Sequence, residues 1–288
     1  MEKNFDVIII ASAGYPAGMY ASRYKMKNII IAQPGGALAM SHKVENYPTI
    51  SAPGRVIMEN FREHAIASGS TLLAEMVTEL KKENDIFKVK TSAGKNFYSK
   101  YVILATGNSY KKLSCPGEKE FLKVSYCATC DMFFKNRDVI VVGNTAVTES
   151  LYLSEICNKV YILNRSYVFK AENIWLEQAK KKENIEIILN EEVEEIVDTL
   201  MTVKLKSGKE LKAEIFIAIG SLPNTSLVDA LNPEKDDECL VVDKRQETSI
   251  KLYAAGDVTT NSNKFKQTIM SAAECLAADS IHEDVLKQ

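Results

Sequence analysis

Phe5-Asp6-Val7-Ile8-Ile9-Ile10 is a short, nearly continuous apolar run rich in β-branched residues, the pattern of a strand buried on both faces of a parallel sheet. Residues 15–26 follow with helical spacing, and Asn28-Ile29-Ile30-Ile31-Ala32 reads as a second strand. A strand, a helix and a parallel strand make a βαβ unit, the usual opening of a dinucleotide-binding domain. The pattern then restarts. Arg137-Asp138-Val139-Ile140-Val141-Val142-Gly143 reads as a strand, residues 146–157 as a helix and Lys159-Val160-Tyr161-Ile162-Leu163 as a strand. A second βαβ unit implies a second nucleotide-type domain, so the fold class is α/β with two Rossmann-like nucleotide-binding domains.

Between the two units, residues 56–68 read as a helix, and 71–78, 86–91 and 96–100 as a small antiparallel sheet. Tyr101-Val102-Ile103-Leu104-Ala105-Thr106-Gly107 reads as another buried strand. The second unit closes with Glu214-Ile215-Phe216-Ile217-Ala218-Ile219-Gly220, and residues 231–237 are polar and turn-rich. Leu252-Tyr253-Ala254-Ala255-Gly256-Asp257 returns to a buried strand that ends on an acid, ahead of a last helix at about 265–280.

The 288 residues exceed one comfortable core and fit two domains. Lys and Arg number 36 against 38 Asp and Glu, which leaves no basic footprint for nucleic acid or an anionic membrane. No apolar run approaches the ~20 residues of a membrane span, and the first residues lack the layout of a signal peptide. These features predict a soluble cytoplasmic protein.

Six cysteines do not make a disulfide scaffold in a chain of this size. Cys115, Cys157, Cys239 and Cys275 stand singly, while Cys127-Ala128-Thr129-Cys130 has the spacing of a redox pair, with Asp131 beside it to exchange the proton. A zinc half-site is the rival reading, but zinc takes four ligands. No second close cysteine pair exists and the three histidines are distant in sequence, so no metal is predicted.

With these stretches stand Val44-Glu45-Asn46-Tyr47-Pro48, Ala105-Thr106-Gly107, Cys115-Pro116-Gly117-Glu118, Ser125-Tyr126 ahead of Cys127, Ala218-Ile219-Gly220, Pro223-Asn224-Thr225, Ala254-Ala255-Gly256-Asp257-Val258 and Lys266-Gln267. In this order and spacing, over nearly its full length, the chain resembles the low-molecular-weight thioredoxin reductases. The resemblance implies an FAD-binding domain made of residues 1–112 and 241–288, with a pyridine-nucleotide domain, 113–240, inserted into it and carrying the cysteine pair. It implies thioredoxin-disulfide reductase activity in a homodimer. Cys130 would face the flavin, Cys127 would attack the thioredoxin disulfide, and Asp131 would move the proton. One domain would rotate against the other to carry electrons between the two. FAD would meet Ala11, Ser12, Ala13, Gly14, Gly35, Gly36, Asn46, Gly107, Asp257, Lys266 and Gln267. NADPH would meet Gly143, Asn144, Thr145, Arg165, Lys170 and Gly220.

The chain departs from this family in two ways. A dinucleotide turn should read Gly-x-Gly-x-x-Gly, yet the first turn here is Ile10-Ala11-Ser12-Ala13-Gly14 and the second Val142-Gly143-Asn144-Thr145-Ala146. Glycines placed beside Ala11, in the second turn, around Lys123 and after Pro48, Asp131, Lys251 and Glu274 restore the family spacing. Gly is only 13 of 288 residues, below the ~7% average. Two explanations stay open: the sequence as read omits glycines that the natural protein contains, as when a conventional stop codon encodes glycine, or the loops have shortened and the chain is a cofactor-free binding protein. The second departure is Leu163-Asn164-Arg165-Ser166-Tyr167-Val168-Phe169-Lys170, where the family carries an arginine cluster for the 2′-phosphate of NADPH. Serine loses the charge and lysine loses the guanidinium fork. Weakened NADPH selectivity is predicted, with NADH or reduced ferredoxin as alternative donors.

Overall fold

Strand β1 (Lys3–Ile10) lies between β2 (Asn28–Ile31) and a strand at the far end of the first segment, with helix α1 (Tyr15–Arg23) crossing from β1 to β2. The computed structural model describes residues 3–41, 44, 47–118, 124–126, 134–143, 146–168, 173–197, 202–262 and 272–287. Helix α2 (Gly54–Ala67) leads into β3 (Thr71–Leu73), which pairs parallel with β2. Strands β4 (Val77–Glu83) and β5 (Ile86–Thr91) form a hairpin whose turn, Asn84-Asp85, has both φ angles positive (49° and 61°), as the tight primed turn demands. β6 (Asn96–Leu104) pairs antiparallel with β5 on one side and parallel with β1 on the other.

The chain then builds a second sheet. β7 (Val124–Ser125), β8 (Asp138–Val142), helix α3 (Ala146–Ser154), β9 (Lys159–Asn164), helix α4 (Asn173–Lys180) and β10 (Ile185–Leu189) come first. A three-stranded antiparallel sheet follows, β11 (Val193–Ile196), β12 (Thr202–Leu205) and β13 (Glu210–Lys212), and then β14 (Glu214–Ile217). The parallel order is β10-β9-β8-β14-β7. On its return the chain adds the short strand β15 (Tyr253–Ala254) beside β6 and ends with helix α5 (Ala272–Leu286).

Two compact units result. The first comprises residues 1–40, 53–109 and 222–288, and the second 41–52 and 110–221. The sequence reading sets the inserted domain at residues 113–240, whereas the chain returns to the first unit at 222. The reason is packing: Val228, Leu240 and Val242 are buried in the same core as Ile8, Leu80 and Phe87, and Leu227 and Leu231 pack against it.

Both units repeat one plan. Alternate strand residues point to opposite faces. In the first unit, Ile8 and Ile10 enter one core with the β4–β5 hairpin, while Val7 and Ile9 enter another with Ala17 and Ala21 of α1 and Ala277, Ala278 and Ile281 of α5. In the second, Val139 and Val141 face Val147 and Leu153 of α3, while Ile140 and Val142 face Val203 and Leu205. Val7, Ile8 and Ile9 are fully buried, each worth about 1.5–3 kcal/mol over an exposed side chain.

The small antiparallel sheet differs from the sequence expectation. The predicted strand 71–78 breaks after Leu73, because Thr71–Leu73 joins the parallel sheet through β2 while Val77 begins the hairpin. The segments 96–100 and 101–107 form a single strand as far as Leu104.

Candidate functional site

In the first unit, the strand ends gather the predicted cofactor residues. Ala105 N donates to Ile10 O and Ala255 N to Leu104 O, both at about the ladder distance, so β1, β6 and β15 finish side by side at their carboxyl ends. Ligands of open α/β sheets bind at such ends. After Ile10, Ala11 N donates to Ile31 O at 3.0 Å and a 3₁₀ turn, Ser12–Gly14, leads into α1. Ser12 Oγ donates to Gly35 O at 3.0 Å, which brings Ala11–Gly14 together with Gly35 and Gly36. A Cβ on Gly14 would lie 2.2 Å from Ile9 Cγ2, so only glycine lets the helix begin this close to the strand. Helix α1 starts without a side-chain cap and with a proline in its first turn, an end whose N–H groups suit an anion.

The shortened turn has a cost. Ala11 has φ 82° and ψ 161°, a region that is essentially glycine's own. Thr49 and Lys251 also have positive φ, 73° and 56°. Ala11, Thr49 and Lys251 each adjoin a place where the family spacing calls for an added glycine. The chain therefore makes the reversal that looked too short in the sequence, with alanine in a glycine conformation.

Gly107 has φ 61° with open space where a Cβ would stand. The turn around it is tied to Asn224, which the sequence reading did not single out as a site residue. Thr106 Oγ1 donates to Asn224 O (2.7 Å), Asn224 Nδ2 to Thr106 O (2.9 Å), Asn224 N to Gly107 O (2.9 Å) and Ser109 Oγ to Asn224 Oδ1 (2.9 Å). A lone asparagine just after a proline was the available signal. Asp257 lies half-buried in the short helical turn that follows Ala255. Glu274 on α5 is buried, and a Cβ on Gly256 would sit 2.8 Å from its Oε1. Its Oε2 has no hydrogen-bond partner among the described residues. Burial, with the Asp257 charge adding to it, pushes the Glu274 carboxyl up to about 8. Its sequence signal was one acid inside an alanine-rich helix. Positive-φ glycines open to space, an uncapped helix start and a buried carboxyl short of a partner fit a large polar cofactor such as FAD. Asn46, Lys266 and Gln267 lie outside the described residues.

In the second unit, Gly143 ends β8 with φ 134°, and a Cβ there would strike Ala218 O at 2.2 Å. The glycine thus permits the close approach of the β8 and β14 ends, where Ala218 N donates to Val142 O at 2.7 Å. Gly220 has φ 92° and open surroundings. Helix α3 begins at Ala146 with Glu149 in its first turn, a carboxyl pushed up by burial. The loop after β9 is closed on itself. Asn164 Nδ2 donates to Ser166 Oγ (3.3 Å) and Val168 O (3.0 Å), and Ser166 Oγ donates to Val168 O (2.6 Å). Arg165 is exposed beside it. Asn144, Thr145 and Lys170 lie outside the described residues. These turns fit a second nucleotide, with Arg165 the described cation among the residues predicted to grip its 2′ end.

The redox stretch leaves the edge of this second sheet. β7 pairs with β14 at Val124↔Ile215 and Ser125↔Phe216, Tyr126 follows, and Cys127, Cys130 and Asp131 lie outside the described residues. Cys157 is buried and Cys115, Cys239 and Cys275 are half-buried. Burial pushes the Cys157 and Cys275 thiols up, to about 11 and about 12, which leaves them poor nucleophiles at neutral pH. Among the described residues no cluster of His, Cys, Asp and Glu is arranged to hold a metal, and no helix is long and apolar enough to cross a membrane.

Comparison with known proteins places this geometry. The profile of the pyridine nucleotide-disulphide oxidoreductases matches residues 5–278. The thioredoxin reductase of Treponema pallidum is 34% identical over 295 residues, 95% of this chain and 94% of that protein. That of Rickettsia felis is 36% identical over 303 residues, 96% and 97% of the two chains. Among solved structures, the thioredoxin reductase of Streptococcus pyogenes superposes with a TM-score of 0.88 at 27% identity and that of Giardia duodenalis with 0.86 at 28%, each covering the whole of both chains. The chain belongs to the pyridine nucleotide-disulphide oxidoreductase family.

Proposed function

We propose that the protein is a thioredoxin-disulfide reductase, with FAD held at the strand ends of the first unit and a nicotinamide dinucleotide at those of the second. One observation carries this reading: Cys127-Ala128-Thr129-Cys130-Asp131 follows the edge strand of a Rossmann sheet in a chain that matches thioredoxin reductases over nearly its whole length. A relative from Mycobacterium leprae, 34% identical, is a bifunctional thioredoxin reductase/thioredoxin, which supports thioredoxin as the partner. A cytoplasmic homodimer is part of the same reading.

The thiol chemistry balances on this chain's residues. The Cys127 thiolate attacks one sulfur of the thioredoxin disulfide and releases the other as a thiolate, forming a mixed disulfide. The Cys130 thiolate then attacks Cys127 Sγ, freeing reduced thioredoxin and leaving Cys127 and Cys130 oxidised to a disulfide. Asp131 takes up and returns the proton that this cycle moves. When bound, FAD supplies the two electrons that reduce the pair again. Ala11–Gly14, Gly35, Gly36, Asn46, Gly107, Asp257, Lys266 and Gln267 hold it in this reading. Gly143, Asn144, Thr145, Arg165, Lys170 and Gly220 hold the donor.

Ser166 favours NADH over NADPH: its hydroxyl is committed to Val168 O and supplies no charge for a 2′-phosphate. Anaerobic titration with NADPH, NADH and reduced ferredoxin, following flavin bleaching, identifies the donor. Cys130→Ser should abolish thioredoxin turnover while flavin reduction by the donor persists. Loss of flavin reduction in that variant overturns the assigned roles, and a protein that binds no flavin overturns the reading altogether.

A further inference from the structure

The residue before Cys127 is anchored in a way that the thiol chemistry does not by itself require. Glu118 is buried, and its carboxylate accepts three hydrogen bonds: from Leu113 N (3.1 Å) and Tyr126 OH (2.7 Å) on Oε1, and from Ser114 N (2.6 Å) on Oε2. A buried carboxylate is costly unless satisfied in this manner. The turn that carries it is itself fixed. Gly117 packs so closely on β11 that a Cβ would lie 1.9 Å from Ile196 O, and Ile196 N donates to Pro116 O at 3.0 Å.

Tyr126 is held on its ring as well as at its hydroxyl. It stacks on Tyr110 with centroids 5.5 Å apart and planes 15° apart, and Lys112 Nζ lies 3.6 Å from its centroid. Burial, together with the hydrogen bond to Glu118, pushes ionisation of the phenol well above its ordinary range, so the hydroxyl remains a donor wherever a thiol titrates. Immediately before it, Val124 and Ser125 are fixed in the ladder to β14. Three residues in succession, Val124 to Tyr126, are thus held by ladder, stack and carboxylate, and Cys127 is the next residue in the sequence.

We propose that Glu118 is a positioning residue for the reactive thiol, acting through Tyr126 to hold the backbone from which Cys127 attacks the disulfide of the protein substrate. The proposal rests on the reading of Cys127 as nucleophile. Attack on a disulfide needs alignment of three sulfurs, and small misplacements of a nucleophile cost large factors in rate. Tyr126→Phe keeps the ring stack and removes only the bond to Glu118.

The test uses the full-length protein with thioredoxin. For Tyr126→Phe, kcat for thioredoxin reduction should fall about tenfold with KM little changed, and flavin reduction by the donor should stay at the parent rate. Glu118→Gln, which keeps an acceptor for the hydroxyl, should retain more activity than Glu118→Ala. The double variant Glu118→Ala/Tyr126→Phe should be no slower than Glu118→Ala. In a Cys130→Ser background, Tyr126→Phe should slow the appearance of the mixed disulfide with thioredoxin on a non-reducing gel by a similar factor. A folded Tyr126→Phe protein with the parent kcat and the parent rate of mixed-disulfide formation overturns the proposal. If instead Cys127→Ser still reduces thioredoxin, it is the assignment of the nucleophile that fails.

Discussion

Replacing Ala11 by glycine should stabilise the protein, against the usual direction of that substitution. Ala11 occupies φ 82° and ψ 161°, a conformation that costs a residue with a Cβ about 1–3 kcal/mol. Glycine adopts it freely, but frees the unfolded chain by about 0.4–1 kcal/mol. The net gain lies between about 0 and about 2.6 kcal/mol and centres on about 1.3 kcal/mol, a factor of roughly 10 in the ratio of folded to unfolded protein. Ala13 is the internal control: it lies two residues on, in the 3₁₀ turn, and is not among the positive-φ residues. Ala13→Gly should therefore destabilise by about 0.5–1 kcal/mol. Urea unfolding followed by circular dichroism gives both values, with the two midpoints displaced in opposite directions from the parent's. If Ala11→Gly lowers the midpoint as Ala13→Gly does, Ala11 is not held in a glycine conformation and the account of a shortened turn is wrong.

Three further outcomes follow from the same geometry. Gly220→Ala should cost only backbone strain, about 1–2 kcal/mol, whereas Gly143→Ala adds the collision with Ala218 O and about 1–3 kcal/mol more. Equal urea midpoints for the two variants would remove the close approach from the argument. Glu274, whose carboxyl is pushed up to about 8, binds a proton in the folded state that the unfolded chain releases near the ordinary value of 4.5. Its contribution to stability is complete below about 4.5 and is lost as pH rises through about 8. Glu274→Gln should flatten the fall in urea midpoint over that window, with Asp257 and Cys275 left in place, and an unchanged slope would show that Glu274 is not the group responsible. Ser166→Arg should raise the ratio of kcat/KM for NADPH over NADH about tenfold, the worth of one charge-assisted bond; an unaltered ratio would mean that this loop does not meet the donor.

The strands that organise both units were legible because they are buried on both faces. Val7–Ile10 and Val139–Val142 read as continuous apolar runs and became the centres of the two sheets. Gly35, Gly107, Gly143 and Gly220, expected from the resemblance to meet cofactors, each have positive φ. Less legible was anything decided by a partner distant in sequence. Thr71–Leu73 looked like part of a longer antiparallel strand until β2 claimed it. Residues 226–231, taken with the inserted domain, belong with the first unit because Val228 packs against strands of its sheet. Asn224 and Glu118 were noted within motifs but given no role, because their roles lie in hydrogen bonds to Thr106, Ser109 and Tyr126, which no periodicity announces. Helix α5, expected at about 265–280, is described from Ala272 to Leu286.

The placement of β15 bears on how the chain is made. Pairing of Tyr253 with Ile103 closes a loop that contains residues 110–221 of the second unit. The second unit draws only on residues up to 221, so all of its strands have been synthesised before β15 appears. Long-range closure is slow when the intervening chain is disordered and less costly when that chain has already collapsed. During synthesis the second unit is therefore able to fold while the first waits with the Ile103-Leu104 end of β6 unpaired on one side. Truncations or ribosome stalls before residue 253 should release a protein with a finished inner unit and an outer sheet prone to pair with a neighbour.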